Sequence, residues 1–185
     1  MMRPATPLRL RIQETLAVLL SLGYTWGYLK GWTPWCFLPA GLGAVLFLDL
    51  CRRKGIFAEA ALQGFYIGMA AYGAWASAHP QDWTPRQWSP ELHLVAILSA
   101  ALLTLLVAQG LKRYTPSALP RIDAFTTVFS LLATWLMVRN HHANWAYWIA
   151  IDAVSIFLYA KRGLPFGAAL YAIYLVMALM GWFGW

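Results

Sequence analysis

Five residues with chemistry to offer recur at helical spacing near the end of the sequence. Trp145, Trp148, Asp152, Ser155 and Tyr159 fall at i, i+3, i+7, i+10 and i+14, which puts them along one face of a helix. Asn144 opens the same run and can cap the helix or offer donor and acceptor to an amide group. A second polar stripe is Asp123, Thr126, Thr127, Ser130 and Thr134, at i, i+3, i+4, i+7 and i+11. Gln63 and Tyr66 form a smaller third, and Tyr171 and Tyr174 a fourth. These groups suit binding. Indole walls beside a carboxylate fit a flat cationic heteroaromatic, with cation–π contributions of about 0.5–2 kcal/mol each. Rows of hydroxyls fit a polyhydroxylated ligand.

Asp152 carries the most weight, because an ionised carboxylate inside an apolar helix costs on the order of 2.5–3.5 kcal/mol even on a lenient membrane-insertion scale. Two readings offset that cost: a counter-charge for a ligand, or a structural bond to a Thr, Ser or Tyr of a neighbouring helix. Asp123 sits at the start of its stretch, where the helix dipole favours a negative charge. Asp49 lies close to Arg52 and Arg53 and reads as an interfacial ion pair. His141 and His142 fall in a short loop and are expected to be solvated. Cys36 and Cys51 stand at opposite ends of one apolar stretch, over 20 Å apart along a helix, beyond disulfide reach. No spacing for a metal site, phosphate-binding loop, nucleophile elbow or His-Glu-x-x-His motif occurs, so neither a cofactor nor an enzyme activity is expected.

The elements that must position these residues are apolar and long. The 185 residues are 61% hydrophobic and 11% charged, too little polar surface for a soluble domain of this size. Seven stretches, 15–29, 35–51, 56–78, 92–111, 122–138, 143–160 and 164–185, approach or reach the length that crosses a hydrocarbon core of roughly 30 Å. The first is the shortest, and Tyr24, Trp26 and Tyr28 near its end suit an interface. They are continuously apolar, which favours helices over barrel strands. Arg3, Arg9 and Arg11 precede the first run as in a signal peptide, but no small-residue cleavage site closes it, so it is read as a span.

The net charge of +7 is a topology signal and not a nucleic-acid one. Eleven of the fourteen Lys and Arg fall on the side of the N-terminus, leaving Lys30, Arg86 and Arg139 on the other. The positive-inside rule then puts the N-terminus in the cytoplasm and the C-terminus outside, in a multi-pass protein of the bacterial inner membrane.

The chain also matches itself. At an offset of 108, Ala60, Ala61, Leu62, Tyr66, Met69, Ala70 and Gly73 align with Ala168, Ala169, Leu170, Tyr174, Met177, Ala178 and Gly181. A Trp-x-x-Trp pair occurs in each half, Trp32/Trp35 and Trp145/Trp148, aligned at an offset of 113. The expected fold is therefore an all-α membrane protein with seven transmembrane helices in a 3+1+3 parallel repeat. Residues 12–78 form the first three-helix repeat, 79–121 an outer loop, linking span and cytoplasmic loop, and 122–185 the second repeat. In transporters so built the site lies between the halves near the midplane.

The run Ile122-Asp123-Ala124-Phe125-Thr126-Thr127, then Ser130 to Trp135, Asn144-Trp145-x-x-Trp148-x-x-x-Asp152, Tyr159 and the turn 161–163 resembles the PnuC family of vitamin transporters. Ala61-Leu62-Gln63-x-Phe65-Tyr66 and Tyr72-Gly73 resemble its third span, so the likeness covers essentially the whole chain. Ala143 and Gly31 depart from the family pattern, where an acidic and a polar residue are common. The resemblance implies an architecture related to the SWEET sugar transporters, and uptake of nicotinamide riboside by facilitated diffusion, with the product trapped inside by phosphorylation. It implies a small-molecule vitamin and the lipid bilayer as partners, and a homo-trimer as the assembly. Gln63, Tyr66, Thr127, Ser130, Thr134, Asn144, Trp145, Trp148 and Asp152 are the expected ligand contacts. Thiamine, also flat and cationic, is the alternative substrate. Riboflavin, neutral and larger, and a membrane receptor without flux are further ones.

Overall fold

Prolines, caps and glycines decide where the helices begin and end. The computed structural model describes residues 7–53, 57–79, 84–115, 118–161 and 165–184. Within them it forms seven helices: α1 (Pro7–Leu29), α2 (Phe37–Arg53), α3 (Phe57–Ser77), α4 (Pro90–Tyr114), α5 (Pro120–Val138), α6 (Asn144–Lys161) and α7 (Pro165–Phe183). Pro90 opens α4 behind Ser89, whose hydroxyl accepts from the amide of Leu92 at 3.4 Å. Glu91 in the first turn and Lys112 and Arg113 in the last complement the helix dipole. Gly31 takes a left-handed conformation (φ 69°) just beyond α1, the backbone state that closes a helix at least cost. Asn140 does the same beyond α5 (φ 55°).

The seven helices fall on the seven apolar stretches. The largest departure is α1, which starts at Pro7 and not at Thr15, giving 23 residues. Arg9, Arg11, Gln13 and Glu14 are good helix formers that an apolar window excludes, so the spacing of hydrophobic residues undercounts this end. On α4, Leu94, Val95, Leu98, Leu102, Leu105 and Leu106 are each more than half exposed. A contiguous apolar surface of that extent suits lipid and not water.

The chain divides into two compact units, Met1–Trp83 and Thr84–Trp185. In the first, α2 packs on both α1 and α3. Small residues allow the approach: Gly43 of α2 lies against Ser21 and the Ala17 carbonyl of α1. Gln13 of α1 donates to the Leu46 carbonyl and to Asp49, each at 3.0 Å, and Arg53 pairs with Asp49 at 2.7 Å, the ion pair expected near this end. Phe37, the first residue of α2, packs onto Gly73 of α3.

In the second unit α4 packs on α5, α5 on α6, and α6 on α7. Ala133, Leu136, Tyr147 and Ile151 form its buried centre, with Trp88, Phe129, Leu132 and Trp148 against it. His93 Nδ1 and the Tyr147 hydroxyl share a 2.9 Å hydrogen bond that joins α4 to α6. Trp145 packs onto Gly181 of α7 as Phe37 packs onto Gly73, and both pairs are related by the offset of 108. At that offset the residue matched with Trp145 is Phe37, whereas Trp32 is matched with it at the offset of 113. Trp32 and Trp35 lie in the exposed turn between α1 and α2, so the two Trp-x-x-Trp pairs are not equivalent in place.

Candidate functional site

The turn before α6 fixes how that helix enters. The His141 amide donates to the Leu136 carbonyl at 2.9 Å, and the Asn144 amide to the His141 carbonyl at 3.0 Å. The Asn144 side chain adds a second bond to the same carbonyl, Nδ2 donating at 2.6 Å. That leaves its Oδ1 buried and without a partner among the described residues. His141, expected in solvent, is instead 5% exposed. The turn folds its ring under Trp88, in a T-shaped contact with centroids 5.3 Å apart, and leaves His142 outside against Trp182.

Three side chains at i, i+4 and i+8 along α6 then carry polar atoms that no other described residue satisfies. Beside Asn144 Oδ1, the Trp148 Nε1–H is buried without an acceptor among the described residues. Asp152 is 3% exposed, and no hydrogen bond or ion pair reaches its carboxyl among the described residues. Each step of four residues rises about 6 Å, so the three groups line about 12 Å of one helix face. Ser155, one turn further, is also buried, and no bond is made by its hydroxyl among the described residues. Buried polar groups in proteins nearly always have partners, so a row of unsatisfied ones calls for a ligand or water to complete it. The row offers acceptor, donor and acceptor in sequence.

Part of the polar stripe of α5, the helix packed on α6, is in the same condition. Thr126 bonds back to the carbonyls of Ile122 and Asp123, as a mid-helix threonine ordinarily does. The hydroxyls of Thr127, Ser130 and Thr134 make no such bond among the described residues, although Ser130 and Thr134 are buried. Trp145 is buried by its contact with Gly181, so one face of its indole is occupied by α7. Further along, the Tyr159 ring packs at a tilt against that of Tyr171, centroids 5.0 Å apart, and Tyr171 lies 6.1 Å from Tyr174.

Gln63 and Tyr66 belong to the first unit. Gln63 is buried, and Tyr66 is half-buried with its ring 5.9 Å from that of Phe65. Nearby, Tyr24, Tyr28 and Phe37 form an aromatic cluster, with Tyr24 5.8 Å from Phe37. Among the described residues no group of His, Cys, Asp and Glu converges as a metal site would require. Both cysteines are buried, and neither is in a disulfide.

The sequence model of the nicotinamide mononucleotide transporter family matches residues 11–185. The chain belongs to that family. It is 26% identical over 169 residues to the nicotinamide riboside transporter PnuC of Escherichia coli K12, covering 76% of this chain and 71% of that one. To the protein of the same name from Haemophilus influenzae it is 30% identical over 92 residues, half of this chain and 39% of the relative. The crystal structure of the vitamin B3 transporter PnuC superposes with a TM-score of 0.72 at 20% identity, over 94% of this chain and 80% of that one.

Members of the nicotinamide mononucleotide transporter family are helical integral membrane transporters, and the resemblance read from sequence is to the same group. Two features of this member had no sequence signal. His93 and Tyr147, which brace α6, are 54 positions apart. The burial of His141 depends on the fold of a turn and on Trp88 in another segment.

Proposed function

We propose that the protein carries nicotinamide riboside into the cell across the bacterial inner membrane by facilitated diffusion. The observation that supports this most is the unsatisfied row on α6. Asp152 offers a counter-charge to the pyridinium ring, while Asn144 Oδ1 and Trp148 Nε1–H offer one acceptor and one donor to a carboxamide. The unbonded hydroxyls of Thr127, Ser130 and Thr134 suit ribose. Trp145 supplies an aromatic wall beside this row. Within the first unit, Gln63 and Tyr66 are further groups with polar atoms to offer a ligand. A mononucleotide would bring a phosphate dianion towards Asp152, a like-charge cost that the riboside avoids. Intracellular phosphorylation would add that charge afterwards and hold the product inside.

The remaining assignments follow from the same reading. The N-terminus is cytoplasmic and the C-terminus outside, from the 11-to-3 division of Lys and Arg. The helices form a 3+1+3 parallel repeat with α4 as the linking span. The matched contacts Phe37 on Gly73 and Trp145 on Gly181 support that repeat. Substrate moves by alternating access without ion coupling, and the assembly is a homo-trimer.

The test is uptake into liposomes containing the purified protein, together with Trp fluorescence titration of nicotinamide riboside, thiamine and riboflavin. Saturable uptake and selective quenching by nicotinamide riboside are expected. Selective thiamine uptake would move the substrate assignment to the other flat cation. Binding without vesicle filling would make the protein a receptor.

A further inference from the structure

The row on α6 can meet a ligand only if that helix is held at one rotation about its own axis. At roughly 100° per residue, Trp148 and Asp152 lie about 40° and 80° round the helix from Asn144. Trp145 lies just beyond them at about 100°, and Tyr147 lies about 60° to the other side. Two aromatic side chains of the first turn therefore flank the row, and each is fixed by a different helix. Trp145 rests on Gly181 of α7. The Tyr147 hydroxyl shares a 2.9 Å hydrogen bond with His93 Nδ1 of α4.

The second contact is held from both sides. Tyr147 is buried with Ala133, Leu136 and Ile151 in the cluster that joins α5 to α6. The His93 ring lies 5.4 Å from that of Trp88 and 5.9 Å from that of Tyr147, and Trp88 packs on the same cluster. On α4 itself, Leu94 and Val95 beside His93 are more than half exposed, whereas the histidine is half-buried and bonded inward. Such a polar side chain on an apolar span is a common interhelical tie in membranes. Its register gives it a further role. The tie grips α6 one residue before Trp148 and three after Asn144, at the level of the two groups offered to a carboxamide.

We propose that His93 is a positioning residue for the transport site: through Tyr147 it sets the rotation of α6, so that Asn144 Oδ1, Trp148 Nε1–H and Asp152 meet the ligand together. A constellation of this kind tolerates a misplacement of only about 0.5 Å or 10–20°. His93 acts through Tyr147 and touches no ligand. α4, which contributes no group to the row, thereby belongs to the frame of the site. This role presupposes that the α6 row is the riboside site.

Calorimetric titration of the full-length protein with nicotinamide riboside, beside thermal unfolding, tests it. Tyr147→Phe, which removes only the hydroxyl, and His93→Leu should each weaken binding about three- to tenfold. The double variant should be no weaker than either single one, because all three lose the same bond. His93→Gln, which can still meet the hydroxyl, should recover most of the affinity. Tyr147→Phe keeps the ring and the cluster, so it carries the test even where His93→Leu does not fold. A purely structural tie would lower the unfolding midpoint and leave the dissociation constant of the folded protein unchanged, and that result overturns the proposal. So does a His93→Gln variant as weak as His93→Leu. A parent protein that does not bind nicotinamide riboside overturns the substrate reading and the proposal with it, whereas variants that bind as the parent does overturn the positioning role alone.

Discussion

Trp145 lies so close on Gly181 that a β-carbon on the glycine would occupy the space of the indole ring. The contact joins α6 to α7 at the level where the row of unsatisfied groups begins, one residue after Asn144. Phe37 and Gly73 make the same contact between α2 and α3. In both, a glycine lets an aromatic ring settle against helix backbone, as close helix packing in membranes requires.

Gly181→Ala should therefore destabilise the protein by about 1–3 kcal/mol, because the ring is confined and cannot yield without moving its helix. Gly73→Ala should act similarly in the first unit. Gly64→Ala, with nothing within 4 Å of the added carbon, is the control and should be neutral. Thermal unfolding in one detergent compares all three.

Trp148→Phe keeps an aromatic ring and removes the unsatisfied N–H. Folding should be unaffected or slightly improved, since a buried donor without an acceptor costs about 1–3 kcal/mol. Binding of nicotinamide riboside should weaken about three- to tenfold for loss of one hydrogen bond. Opposite signs in unfolding and titration would identify the indole nitrogen as reserved for ligand. A parallel loss in both would mark it as structural.

Ser130→Ala and Thr134→Val remove hydroxyls that make no protein bond among the described residues. Each should leave stability within about 1 kcal/mol and weaken the riboside by about three- to tenfold. Nicotinamide itself lacks the sugar and should bind both variants as it binds the parent. Competition titration with the two ligands separates these outcomes.

Burial, then the charges of Arg86 and Arg139 and the neighbouring His93, hold His141 below the usual histidine pKa. Its neutral form is thus favoured in the folded state, while the unfolded chain takes up a proton near the ordinary value of about 6.5. The sign follows: this contribution to stability is complete above about pH 6.5 and is lost as pH falls towards the lower folded value. His141→Gln should flatten that part of the profile, read from unfolding midpoints between about pH 5 and 8.

The seven helices were legible because each is an apolar run of near-membrane length, a property that survives without any tertiary contact. Asp152 was legible for the same reason, as an ionisable group in such a run. The start of α1 was not, since Arg9 and Arg11 extend the helix while breaking the hydropathy signal. The likeness of the contacts Phe37 on Gly73 and Trp145 on Gly181 was not legible, since the two aromatics differ in type and the glycines are matched only by register. His141 looked like loop and proved buried, since its environment is made by Trp88 and by a turn closed on Leu136. The missing partners of Asn144, Trp148 and Asp152 could not be read from sequence at all. Whether a polar group is satisfied depends on every neighbour it meets.

The central claim is that Asp152 is held unpaired for a cationic ligand. The most direct measurement is calorimetric binding of nicotinamide riboside and of its uncharged dihydro form to the parent protein and to Asp152→Asn. The account predicts that the parent prefers the cation by tenfold or more, on the order of 1.4 kcal/mol, and that Asp152→Asn abolishes the preference while still binding the neutral form. An equal preference in both proteins, or loss of both ligands with loss of folding, would contradict it.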